Sequence, residues 1–221
     1  MSNFWIFTSL IAGYVLGALP FGYLVAKAHG VDIFKVGSGN PGATNVKRVL
    51  GPKAGNTVFA LDAVKGALAT GWPLLPWIDT PHQEVLALIG VVAAVIGHSF
   101  SVFTRFKGGK GVATAAGGLV VLIPMACLIA AGVWVLTFLT TRYVSLGSIL
   151  GAAAVIVASW LPYFGYHVAV ATIATILASF VIIRHHSNIR RLLNGTETRF
   201  VKGRPVAPDG ASSDSKPPTA S

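Results

Sequence analysis

Long apolar runs, each closed by proline, glycine or a cluster of bases, fill most of this 221-residue chain. Phe4–Ala26, Ala54–Ile78 and Val85–Phe103 each suit a membrane-crossing helix of about 20 residues. Pro124 divides the next stretch into Val112–Ile123 and Met125–Thr140, each short for a crossing. Two short helices, a re-entrant pair or one kinked crossing all fit it. Val144–Leu161 and Tyr166–Ile183 follow, separated by the turn Pro162–Gly165. The pattern predicts an all-α, polytopic integral membrane helical bundle. If Arg142 is cytoplasmic, seven helices cross, with the N-terminus outside and the C-terminus inside. If Arg142 lies outside, five crossings give the same ends.

Composition agrees with that reading. Hydrophobic residues make up 53% of the chain and charged residues 11%, against roughly a quarter charged in soluble domains. A bilayer demands that deficit, because charge in hydrocarbon is expensive. The net charge of +10 is unevenly placed. Bases cluster at Lys27–Lys53, at Arg105–Lys110 and at Arg184–Arg204, whereas Asp79–Glu84 carries two acids and no base. Cationic loops stay cytoplasmic, which puts the polar segments Gly37–Arg48, His98–Thr114 and His185–Arg191 on the inner face. Phe4–Ala26 has no basic leader region before it and reads as a retained helix. Residues 1–202 read as a single membrane-embedded domain. Gly203–Ser221, rich in Gly, Pro and Ser, reads as a disordered cytoplasmic tail.

Chemistry is confined to the polar segments. In Gly37–Asn45 (GSGNPGATN), small residues let backbone amides converge on an anion. Ser38, Thr44 and Asn45 add neutral donors, and Arg48 adds a planar charged fork. Ala43–Leu50 reads as a helix whose N-terminal end favours an anion. A tight cytoplasmic turn would use the same glycines and proline. Lys107-Gly108-Gly109-Lys110-Gly111 differs from a nucleotide-binding P-loop, because Lys110 is followed by glycine and no strand precedes it. A loop wrapping phosphate oxygens with amides and two lysines remains. His98 lacks the aspartate five residues on that marks familiar acyltransferases, Phe103 standing there. His185, Asn188 and Arg191 share a face if the helix continues, and Glu197 is the one acid nearby. Asp62 and Lys65, three apart in a span, read as a pair on one face with a structural or loop-positioning role. Ser145 and Ser148 face either the same site or their own helix backbone. Cys127 stands alone and reads as a packing residue, and histidines and carboxylates are too dispersed for a metal. Small residues such as Gly147 and Ala152 read as helix contacts.

The strings GSGNPGATN, FKGGKGVAT and HHSNIRRL, in this order, resemble the acyl-phosphate-dependent glycerol-3-phosphate acyltransferases of bacterial membranes (the PlsY family). The resemblance covers Phe4 to about Lys202. It implies transfer of an acyl chain from acyl phosphate to the 1-hydroxyl of glycerol 3-phosphate, releasing lysophosphatidic acid and phosphate, the first step of phospholipid synthesis. It implies no cofactor, no metal and no nucleic acid. It also implies a bacterial cytoplasmic (inner) membrane location with the site on the cytoplasmic face, and association with the enzyme that makes acyl phosphate. Carried onto this sequence, the substrate-binding positions are Ser38, Asn40, Thr44, Asn45, Arg48, Lys107, Gly108, Gly109, Lys110, His185 and Asn188, with His98, Ser145, Arg191 and Glu197 as weaker members. Ser38, Arg48, Lys107 and His185 are the expected catalytic residues. Because the acyl phosphate is already activated, the expectation is direct attack without an acyl-enzyme. On anion chemistry alone, a membrane transporter of an organic phosphate is the alternative.

Overall fold

The computed structural model describes residues 3–200, which are helical with no strand among them. Ten α-helices follow one another: α1 (Asn3–Ala18), α2 (Phe21–Ala28), α3 (Ala43–Leu50), α4 (Pro52–Gly71), α5 (Gln83–Ser99), α6 (Val112–Leu122), α7 (Pro124–Thr141), α8 (Val144–Ser159), α9 (Val168–Arg184) and α10 (His186–Leu193). Each apolar run holds at least one of them. Asn3–Ala28, Gln83–Thr104 and Pro124–Thr141 have the length and hydropathy of membrane spans, and α9 with α10 passes the same test only as a pair bent by 54°. Val112–Leu122 and Val144–Ser159 are shorter apolar helices. The proposed C-terminal tail lies outside the described residues.

The differences from the expected spans have local causes. Phe4–Ala26 is broken at Leu19-Pro20, where proline has no N–H to continue the helix. Two freed carbonyls find donors elsewhere: Ser101 Oγ donates to Ala18 C=O (2.6 Å) and Lys65 Nζ to Leu19 C=O (2.8 Å). The second run ends at Gly71 rather than Ile78, because Pro73 turns the chain into a short 3-10 helix at Trp72–Leu74. Val112–Thr140 becomes two helices, α6 and α7, meeting at Ile123. The third polar segment is not one helix: α9 and α10 are bent by 54° at His185.

α1 packs along α5, α4 along α6, α7 along α8, and α8 along α9. α4 and α6 touch backbone to backbone: a Cβ on Gly66 would meet Thr114 C=O, and one on Gly117 would meet Ala63 C=O. In lipid, where burial of apolar surface gives little drive, such close approach is what holds helices together. On α4, Asp62 and Lys65 are both buried and paired at 2.7 Å, the structural pair expected from their spacing. A second core, built on Leu119, Ile123, Ala126, Val155 and Ala174, joins α6, α7, α8 and α9.

Candidate active site

All three polar segments converge on one cavity of about 720 Å³. Segment one reaches it with Ser38, Asn40, Thr44 and Arg48, segment two with Lys110, and segment three with His185, Asn188 and Arg191. The N-terminus of α3 also opens there, since Gly42, Ala43 and Thr44 line the wall. Gly42 at the N-cap offers no side chain, so the first amides of α3 remain for an anion.

The glycine-rich loop owes its shape to Asn45. Its Oδ1 accepts from Ser38 N–H (2.9 Å) and its Nδ2 donates to Val36 C=O (3.0 Å). Gly37 adopts φ +58°, and a side chain there would collide with the Asn45 amide. Asn45 lines the cavity and spends its Oδ1 and one Nδ2–H on holding the loop. Asn40 Oδ1 accepts from Gly42 N–H (2.9 Å), an Asx turn.

Segment two divides. Arg105 and Phe106 both adopt left-handed conformations, φ 53° and 61°, which reverses the chain before the glycines. Thr104 Oγ1 donates to Lys107 C=O (2.7 Å), and Gly109 N–H to His98 C=O (3.2 Å). Lys110 therefore lines the large cavity, while Lys107, Gly108 and Gly109 line a narrow cleft of about 20 Å³ beside Asp62 and Lys65. Lys107 is exposed. Its expected partnership with Lys110 across one phosphate is not what this loop builds. His98 touches both spaces.

Segment three is locked by Glu197. Its carboxylate accepts from Ser145 Oγ, Asn188 Nδ2 and Arg191 Nε, each at 2.7 Å. Asn188, with its NH2 fixed in this way, turns Oδ1 to accept from Lys110 Nζ. Lys110, Ser145, Asn188 and Arg191, from three separate stretches of the chain, thus form one chain of bonds around a buried carboxylate. Ser148, by contrast, donates to its own helix at Val144 C=O (3.0 Å), the backbone role anticipated. Residues 195–200 fold across the cavity mouth: Phe200 N–H donates to Arg142 C=O (3.0 Å) and Arg199 Nε to Tyr143 OH (2.9 Å).

Burial sets the charge states. Burial pushes Lys110 down to about 8, with Glu197 opposing and Arg191 and Arg48 adding to the fall. His185 drops to about 4, mainly through burial and then the Lys110 charge. Its Nδ1 lies 2.7 Å from Val181 C=O, so the neutral ring donates through Nδ1 and keeps its lone pair on Nε2. For Glu197, burial works upward but the bonds from Ser145, Asn188 and Arg191 outweigh it and hold the carboxyl below its ordinary range. Burial lowers Arg48 too, and its Nε is buried without a hydrogen-bond partner. Arg48 is charged, desolvated and underused by the protein itself. Among the described residues no three His, Cys, Asp or Glu side chains gather in a metal-like group.

The cavity does not stop at the charges. It continues between α6, α7, α8 and α9 over Leu119, Cys127, Ala130, Trp134, Val155 and Ala178. One end is cationic and rich in donors; the other is a groove lined by carbon.

Comparison with known proteins gives this shape a family. The model of a family described as glycerol-3-phosphate acyltransferase matches residues 7–195. The chain belongs to that family. A glycerol-3-phosphate acyltransferase of Trichlorobacter lovleyi is 46% identical over 89% of this chain and 96% of its own length. One from Bacillus subtilis is 41% identical over 86% and 95%, respectively. Two crystal structures of PlsY, an integral membrane glycerol 3-phosphate acyltransferase, are 41% identical to the chain. The glycerol 3-phosphate form superposes with a TM-score of 0.81, and the lysophosphatidic acid form with 0.78; each covers 89% of this chain. Those likenesses cover 96% and 95% of the PlsY chains.

In this acyltransferase the apolar half of the cavity is what sequence reasoning missed. Small residues in α7 and α8 serve two ends at once: Ala130, Gly151 and Ala152 bring the two helices together and also line the groove. Cys127 packs against the core, as expected, and also forms part of the wall. Phe200 was also unforeseen; the Arg48 guanidinium lies 5.7 Å from its ring centroid, and no motif marks it.

Proposed function

We propose that this protein transfers an acyl chain from acyl phosphate to the 1-hydroxyl of glycerol 3-phosphate, giving lysophosphatidic acid and phosphate. The supporting observation is the continuity of one cavity from a cluster of cations and amides into an apolar groove. Both reactants carry phosphate and one carries a long chain, so such a cavity suits the pair. Arg48, Lys110 and the first amides of α3 are the donors for the phosphates, with Ser38, Asn40 and Thr44 beside them. The glycerol hydroxyl oxygen attacks the acyl carbonyl carbon, the carbon–oxygen bond to phosphorus breaks, and phosphate leaves. The cations stabilise the charge that develops on the leaving group, and fixing the two reactants side by side removes much of the entropic barrier.

The proton released from the hydroxyl has two acceptors in reach, His185 Nε2 and an oxygen of the acyl phosphate. A ring titrating at about 4 is a weak base at neutral pH, whereas the leaving phosphate becomes more basic as its oxygen separates from the acyl carbon. The reading therefore gives the proton to phosphate and gives His185 the role of a neutral hydrogen-bonding partner. Seven crossings, with the N-terminus outside and the polar cavity facing the cytoplasm of a bacterial inner membrane, follow from the distribution of bases. An acyl-phosphate-forming enzyme is then the required supplier.

The test is purified protein with glycerol 3-phosphate and palmitoyl phosphate, without CoA or added metal. Release of lysophosphatidate and phosphate in equal amounts is expected. Uptake of glycerol 3-phosphate into sealed vesicles with no product would overturn the reading in favour of transport.

Two further outcomes follow from the same cavity. Lys110 must be charged to hold phosphate, and kcat/KM reports the free enzyme. The profile of kcat/KM against pH is expected to fall as pH rises past about 8. Lys110→Arg, which keeps its charge throughout that range, should move the alkaline limb upward. Val155 and Ala178 lie at the deep end of the groove, and Val155→Phe would fill it. Turnover of long acyl phosphates should then drop ~10-fold or more relative to short ones, a difference of roughly 1.4 kcal/mol. Equal loss at every chain length would place the acyl chain elsewhere.

A further inference from the structure

The buried group left without work by this reaction is the cluster of Asp62, Lys65 and His98. Asp62 and Lys65 are both on α4, paired at 2.7 Å, and Lys65 also reaches Leu19 C=O at the α1–α2 break. A lipid-buried pair needs only one partner on each side to relieve its charge. Asp62 has a second: His98 Nδ1, 3.6 Å from the same Oδ1. His98 ends α5, and its ring and backbone form the seat of the glycine–lysine loop. A Cβ on Gly109 would strike His98 Nε2, and one on Gly108 would strike His98 C=O. Gly109 N–H donates to that same carbonyl (3.2 Å), and Arg184 clamps Gly109 C=O from α9 at 2.9 Å. The next residue is Lys110.

We propose that Asp62 is a positioning residue for the reaction: by holding the His98 ring through Nδ1, it fixes the surface on which Gly108 and Gly109 rest and so aims Lys110 into the cavity. The glycines are then required for contact with an oriented imidazole as well as for turning. Among the described residues Asp62 Oδ1 is buried with no hydrogen-bond partner, and at 3.6 Å the ring nitrogen is beyond hydrogen-bond reach, so the carboxylate orients the ring as a nearby charge in surroundings of low dielectric. Lys65 neutralises the carboxylate and anchors it to the α1–α2 break, so the loop is referenced to three helices at once. The link to catalysis rests on the function proposed above; the link from Asp62 to the loop does not.

The experiment separates the two. Asp62→Asn keeps the shape of the side chain and removes its charge. Because it strands Lys65, a second variant, Asp62→Asn with Lys65→Met, removes both charges together. Hydrogen exchange over the peptide containing residues 105–111 is expected to quicken in both variants, while exchange in α7 and α8 stays as in the wild type. KM for glycerol 3-phosphate is expected to rise ~10-fold with kcat within about twofold, the signature of lost binding rather than lost chemistry. His98→Ala should raise KM similarly, and Asp62→Asn in that background should add nothing, as required of a residue acting through another. Unchanged exchange in the loop, fully additive KM effects, or a fall in kcat at constant KM would each overturn the proposal. A wild-type protein that makes no lysophosphatidate would overturn the functional reading instead, with the exchange measurement still deciding what Asp62 holds.

Discussion

Arg48→Ala is expected to cut kcat/KM by ~10²–10³-fold, the usual cost of removing one preorganised donor from a developing charge. The protein should fold as before. Among the described residues the Arg48 side chain donates no hydrogen bond: its Nε is buried and unpaired, its pKa is lowered by desolvation, and its guanidinium lies over the Phe200 ring. Its removal should leave the thermal midpoint unchanged or slightly raised, since a half-buried charge whose nearby acid, Glu197, is already engaged by three donors costs stability. Arg48→Lys keeps the charge but not the planar fork and should fall between the two. Steady-state kinetics with palmitoyl phosphate, beside a thermal melt in detergent, reads both effects. Near-normal rates in Arg48→Ala would remove the phosphate cluster from the mechanism.

Glu197→Ala has the opposite signature. The side chain is 5% exposed and receives three hydrogen bonds, from Ser145, Asn188 and Arg191. Deleting the acceptor leaves Asn188 and Ser145 as buried donors and Arg191 without its counter-ion, at a cost of about 3 kcal/mol or more. Loss of folded protein, or a thermal midpoint lower by several degrees, is expected, with activity falling in step. Glu197→Gln keeps an acceptor oxygen for Asn188 and Ser145 and should recover part of the stability. The pH dependence has a definite sign. The Glu197 pKa is lower in the folded protein than in the unfolded chain, so its stabilisation is present at neutral pH. It is withdrawn as pH falls through and below the ordinary carboxylate range. A melt of wild type and Glu197→Gln across that range should show the two converging in acid.

Helix positions were readable because hydropathy in a membrane chain is nearly binary. Pro124, Pro162 and the basic clusters mark real ends, and α3 begins at Ala43 as its glycine-rich approach suggests. The breaks inside runs were not readable. Pro20 stops α1 only because Ser101 and Lys65, more than 40 residues away, take the carbonyls it frees. The identity of the site was carried by short strings, but its division of labour was not. Asn45 and Asn188 are the same residue type in two polar segments, yet one holds a loop and the other faces Lys110. Lys107 and Lys110 stand three apart and enter different spaces, because two left-handed residues before them turn the chain. Sequence shows which donors are present; only the fold shows which are already engaged.

Phe59 of α4 and Val135 of α7 line the cavity and are also about half exposed, at 52% and 48%. Two apolar side chains shared between the groove and the outer surface of the bundle give the groove a carbon-lined flank. A newly made single-tailed amphiphile can slide along such a flank headgroup-last, with its tail kept against carbon. Departure through water instead would cost ~0.8 kcal/mol for every methylene wetted.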